Sequence, residues 1–100
     1  MVKHELSREF IKMLQKRLRE INPNITMEEA WDFYKDLNKD IIDFVNDAPN
    51  KRVPLAGVHT LEVIECKPSK SMESKGYEKD YRFRVRQSTT MSRYLNDLNK

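Results

Sequence analysis

Two glycines and a single cysteine in one hundred residues rule out several kinds of chemistry. Two glycines cannot build a phosphate-cradling loop, which needs several backbone positions free of a Cβ. Cys66 has no second cysteine to pair with, so there is no internal disulfide and no CxxC spacing. That favours a reducing, cytoplasmic setting. No run of 18 or more apolar residues is present, so no membrane span is expected. The opening Met-Val-Lys-His-Glu-Leu carries charge where a signal peptide needs an apolar stretch. His4 and His59 stand far apart, and neither has a cysteine at ligand spacing, so no metal site is expected. No nucleophile has a base beside it. Glu62 and Glu65 could be acids of a site, but on a charged strand they read as solvated. No enzyme, cofactor or small-molecule substrate is expected.

Charge is abundant. Charged residues make up 35% of the chain and hydrophobic residues 38%. A core drawn from that composition is modest, and a partner chain sharing it would help. The charge is also uneven. Residues 1–50 hold 8 Lys/Arg against 10 Asp/Glu, and residues 51–100 hold 11 against 6. Any polyanion should therefore meet the second half.

The first 48 residues read as two helices. Leu6, Phe10, Met13, Leu14, Leu18 and Ile21 recur at helical steps from about residue 4 to 21. Asn22-Pro23-Asn24 ends that helix. Thr26 then looks like an N-cap, with Glu29 completing a capping box and Ile25 placed to staple against Ala30. The second helix, about 27 to 48, carries Met27, Ala30, Tyr34, Leu37, Ile41, Phe44 and Ala48 at alternating three- and four-residue steps, widened by Trp31, Phe33, Ile42 and Val45. A stripe this wide has too little partner surface within one chain, which argues for a second copy packed on Tyr34, Leu37, Ile41, Phe44 and Val45.

The rest reads as a sheet with a short terminal helix. Pro49 breaks the second helix. Residues 52–58 form a strand, Gly57 marks a turn or bulge, and residues 60–66 form a second strand. Pro54 makes the first strand an edge. Residues 67–80, "KPSKSMESKGYEKD", have almost nothing to bury and read as a projecting hairpin or a disordered loop with Gly76 near its turn. "YRFRVRQ", residues 81–87, alternates strictly, with Tyr81, Phe83 and Val85 on one side and Arg82, Arg84 and Arg86 on the other. Three guanidiniums on one face repel one another unless they meet water or phosphate. Ser88 or Thr89 can cap a last helix whose apolar face is Met91, Tyr94, Leu95 and Leu98.

This order of elements resembles the HU / integration host factor family of bacterial histone-like proteins. "RVPLAGVHTLEV", residues 52–63, looks like that family's V-x-L-x-G-F-G-T-F-x-V strand pair, with Val53, Leu55, Gly57, Thr60, Leu61 and Val63 matching in kind. His59 stands at the second glycine and Val58 at the phenylalanine. "VRQSTTMSRYLN", residues 85–96, resembles the F-K-x-G-K-x-L-K-x-x-V-N ending, with Arg86 at the first lysine and Met91 at the leucine.

The resemblance implies a single α+β domain. Residues 1–48 would be the helical dimerisation half, residues 52–87 a three-stranded antiparallel sheet with a projecting β-arm, and residues 88–99 the terminal helix. It implies an intertwined homodimer that contacts double-stranded DNA with low sequence specificity. The contacts would come from Lys3, Arg52, Lys67, Ser69, Lys70, Lys75, Lys79, Arg82, Arg84, Arg86, Thr89 and Arg93. The protein would be nucleoid-associated, or act in host cytoplasm if phage-encoded. The family's R-N-P wedge is absent, Pro68 sits near the arm's base, and Thr89 and Ser92 stand where lysines are usual. Electrostatic binding without wedge-driven kinking follows, with Met72 and Tyr77 the only bulky apolar side chains in the arm. The other reading is a module of the same fold, a phage structural or regulatory subunit for example, that binds protein and has lost DNA binding.

Overall fold

A computed structural model describes the backbone of residues 3–100 and the side chains from Glu5 onward. Among the described residues the chain is α+β, with four α-helices, a short 3₁₀ turn and one three-stranded antiparallel sheet. Two compact units are distinguishable, residues 1–40 and residues 41–100.

The first unit holds helix α1, Lys3–Leu18, and most of helix α2, Met27–Asp47. Helix α1 stops three residues short of the sequence expectation. Residues 19–21 continue as turns, with the Ile21 and Asn22 amides both donating to the Leu18 carbonyl. The expected capping box at α2 is present in full. The Glu29 amide donates to Thr26 Oγ1 at 3.1 Å, and the Thr26 amide donates to Glu29 Oε1 at 3.1 Å. Gln15 and Arg19 close the loop by donating to the Ile25 carbonyl.

Among the described residues, the buried side chains of this unit are Ile11 and Ala30. Ile11 lies off the expected stripe. Leu14, Gln15 and Leu18 are half-buried in the same direction, while Leu6, Phe10 and Met13 stay exposed. The apolar side of α1 is wider than α2 covers. Phe10 nevertheless meets Tyr34 edge-to-face.

The second unit begins with the last turns of α2, where Val45 is 1% exposed. A 3₁₀ turn, Pro49–Lys51, then reverses the chain through two successive left-handed residues, Asn50 at φ 59° and Lys51 at φ 51°. Lys51 Nζ donates back to the Asn46 carbonyl and to Asn46 Oδ1, both at 3.0 Å, which satisfies an orphan carbonyl near the end of α2.

The strands follow: β1, Arg52–Leu55; β2, His59–Cys66; and β3, Asp80–Gln87, in the order β1-β2-β3. Pro54 is thus in an edge strand, where its missing N–H costs no ladder bond. Gly57 is the third residue of a turn closed by the Val58 amide on the Leu55 carbonyl. Its φ of 77° is the positive value a type II turn requires there.

The connection between β2 and β3 differs from the expected projecting hairpin or disordered loop. Among the described residues, strand pairing ends at Cys66 opposite Asp80. The segment between them folds into a short helix α3, Lys70–Ser74. Ser69 Oγ caps it by accepting from the Met72 amide. Gly76, at φ 90°, closes it with Gly76 N–H on the Glu73 carbonyl and Tyr77 N–H on the Met72 carbonyl. That pair of bonds is a Schellman motif. A serine cap, a glycine stop and no alternating apolar residues favour one helical turn over two paired strands.

Helix α4, Thr89–Leu98, is capped by Ser88, which accepts from the Met91 amide at 3.1 Å. Its Tyr94, Leu95 and Leu98 are all exposed.

Candidate nucleic-acid interface

The strand register sorts the sheet into two chemically different faces. Val53 pairs with Leu61 and Leu61 with Val85. Val63 pairs with Phe83, and Glu65 with Tyr81. Directly opposed residues share a face, so these lie together. Leu61 is buried there, but Leu55, Tyr81, Phe83 and Val85 are between 38% and 52% exposed. This face carries a half-exposed apolar patch between Glu65 at one end and His59 and Gln87 at the other.

The other face carries the cations. Arg52 opposes Glu62, Glu62 opposes Arg84, Thr60 opposes Arg86 and Ile64 opposes Arg82. Arg82, Arg84 and Arg86 therefore form a row at two-residue steps, as their alternation with Tyr81, Phe83 and Val85 requires. All three side chains are more than half exposed.

Glu62 departs from expectation. A solvated strand carboxylate is the ordinary outcome, yet Glu62 is 7% exposed. Its Oε1 accepts from Arg84 Nε at 2.6 Å, with Arg84 Nη2 at the same distance, and Arg86 Nε stands 3.8 Å away. A carboxylate buried this far is tolerable only with paired charge around it. Arg82 is engaged separately. Its Nε donates to Asp80 Oδ2 at 3.0 Å, and that bond, with the Asp80 charge behind it, raises the Arg82 pKa above its ordinary value. The Arg82–Arg84–Arg86 row thus rests on two carboxylates.

The remaining expected contact residues are dispersed. Lys67, Ser69, Lys70 and Lys75 are exposed on and around α3. Lys79 is exposed but turned to the apolar side, where its Nζ lies 3.3 Å from Glu65. That hydrogen bond and charge raise the Lys79 pKa above 10.5. Thr89 is the first residue of α4, and Arg93 is exposed on the same helix. The Lys3 side chain lies outside the described residues. Of the residues expected at a subunit contact, Leu37 and Phe44 are exposed, and Tyr34 and Ile41 are half-buried. Val45 is already covered within its own chain and offers no surface to a second copy.

Sequence reasoning missed Glu62 as the centre of this site. The signal was available once Gly57 is taken as the turn. A tight hairpin there sets Arg52 against Glu62, and a second antiparallel strand ending near Gln87 brings Arg84 to its other side.

Among the described residues, no group of three His, Cys, Asp or Glu side chains converges to hold a metal ion. No helix among them is long and apolar enough to cross a membrane. No protein-family model, curated protein or solved structure matches the chain.

Proposed function

We propose that this chain is a dimeric, HU-like architectural protein that binds duplex DNA through the arginine face of its sheet with little sequence preference. The observation that carries the reading is the two-faced sheet. Three half-exposed arginines stand in a row on one side, and a half-exposed apolar patch lies on the other. A row of guanidiniums suits the regular charges of a phosphate backbone. A row that meets only phosphates leaves any preference to DNA shape and deformability. Lys67, Lys70 and Lys75 are exposed in the β2–β3 connection, the stretch that the resemblance makes a β-arm. No side chain there is shaped as a proline wedge, so sharp kinking is not part of the proposal.

The apolar face supports the dimer. Leu55, Phe83 and Val85 on the sheet, with Phe44 on α2, supply the apolar character an obligate interface needs.

Affinity for a 20- to 30-base-pair duplex, measured across a salt series, tests the function. A steep log–log decline, equal on unrelated sequences, is expected. Arg84→Ala and Arg86→Ala should each flatten the slope by about one unit. A salt-independent affinity, or none at any salt, would leave the other reading, a protein-binding module of the same fold.

A further inference from the structure

We propose that Glu62 is an internal counter-anion of the arginine face: it holds Arg84 and Arg86 in the free protein and competes with DNA phosphates for them, so that binding stays weak and easily reversed. The inference rests on the DNA-binding reading and adds a device that sets its strength.

The geometry carries it. Glu62 is 7% exposed, and one of its oxygens lies 2.6 Å from both Nε and Nη2 of Arg84 and 3.8 Å from Nε of Arg86. Arg52 stands opposite Glu62 in the register of the neighbouring strand. Glu62 is therefore engaged by two cations of β3, has Arg52 as its register partner on β1, and is the carboxylate at the middle of the basic face.

Two effects follow, and they have the same sign. Arg84 and Arg86 are two residues apart on one face, about 6.8 Å along an antiparallel strand, and repel each other when unneutralised. A duplex phosphate would ordinarily gain affinity by relieving that repulsion. Glu62 has already relieved it in the free protein. The carboxylate also remains beside the incoming phosphates and repels them. A negative charge about 5 Å from a phosphate in a solvent-like dielectric weakens binding roughly fourfold. Positioning alone would act the other way. If Glu62 served only to aim Arg84, its loss would let the guanidinium swing and would weaken binding.

The decisive experiment compares the unaltered protein with Glu62→Gln and Glu65→Gln by fluorescence anisotropy on two unrelated duplexes at several salt concentrations. Glu65 controls for net charge, because it sits on the same strand but on the opposite face. Glu62→Gln should bind threefold to tenfold more tightly, and Glu65→Gln should change affinity less than twofold. Equal or weaker binding by Glu62→Gln, with a steep salt slope in the unaltered protein, overturns the counter-anion and leaves DNA binding standing. Binding by Glu62→Gln but not by the unaltered protein at any salt fails the DNA reading. Binding by neither fails the DNA reading and the counter-anion with it. A wild-type measurement guards against a variant that does not fold. The Glu62 carboxyl carbon resonance should move as duplex saturates the protein and Arg84 leaves it. A resonance unmoved at saturation overturns the proposal.

Discussion

Phe10 and Tyr34 meet edge-to-face, with ring centroids 5.2 Å apart and planes at 70°. This is the preferred arrangement of two ring quadrupoles, and it ties α1 to α2 within the first unit. It matters more than usual because so little else is buried there. A double-mutant cycle with Phe10→Leu and Tyr34→Leu should return a coupling of about 0.5–1.5 kcal/mol in urea unfolding. Additive effects would mean that the rings only fill space.

The short helix α3 depends on its two ends. Ser69→Ala removes the hydroxyl that accepts from the Met72 amide, and Gly76→Ala puts a Cβ on a residue at φ 90°. Space is not the obstacle at Gly76, since nothing lies within 4 Å of an added Cβ. The cost there is backbone strain of about 1 kcal/mol or more, and the lost cap costs about 0.5–2 kcal/mol. Both substitutions should speed exchange of the Tyr77 amide, which bonds to the Met72 carbonyl, and should open trypsin sites at Lys70 and Lys75. Amides of β2 should keep their protection. Simultaneous loss of β2 protection would show that α3 is integral to the sheet's stability.

The parts of the chain visible in the sequence are those fixed by local chemistry. Thr26 and Glu29 announce their capping box. Pro54 marks an edge strand, and the strict alternation of residues 81–87 places three arginines on one face. What escaped depends on contacts distant in sequence. Ile11 is buried and its neighbour Phe10 is exposed because of how α2 lies on α1, which periodicity does not specify. Glu62 can be buried because β3 brings Arg84 to it from twenty-two residues away, with Arg52 opposite it in the register of β1. The α3 helix was missed for a different reason. Its Ser and Gly signals are local, but five residues are too few to show a helical period.

Lys79 provides a pH signature. Its hydrogen bond to Glu65 raises its pKa above 10.5, so the protonated form is favoured in the folded state. The stabilisation from this contact is complete below the unfolded value and is lost as pH rises through the folded value. The Lys79 ε-carbon resonance should therefore titrate above 10.5, and Glu65→Gln should bring its midpoint down. A midpoint unmoved by Glu65→Gln would show that the contact is too loose to bias the proton.

Phe44 separates a dimer from a monomer. It is 68% exposed, one position before Val45, which is 1% exposed. In a monomer, Phe44→Asp would place a charge in water and leave stability within about 0.5 kcal/mol. In a dimer that buries Phe44, the same carboxylate would be unpaired in an apolar interface, at a cost of several kcal/mol per subunit. Sedimentation at micromolar concentration should give about twice 12.0 kDa for the unaltered chain and 12.0 kDa for the variant. The thermal midpoint of the unaltered chain should rise with protein concentration, because association feeds back on folding. Val85→Asp supplies the parallel test on the sheet, since Val85 is 52% exposed on the apolar face opposite the arginines. If both surfaces belong to one interface, each substitution alone should dissociate the dimer. A loss of assembly from Phe44→Asp but not from Val85→Asp would confine the interface to α2 and leave the apolar sheet face to another partner. A concentration-independent midpoint and a monomer mass for the unaltered chain would overturn the dimer altogether.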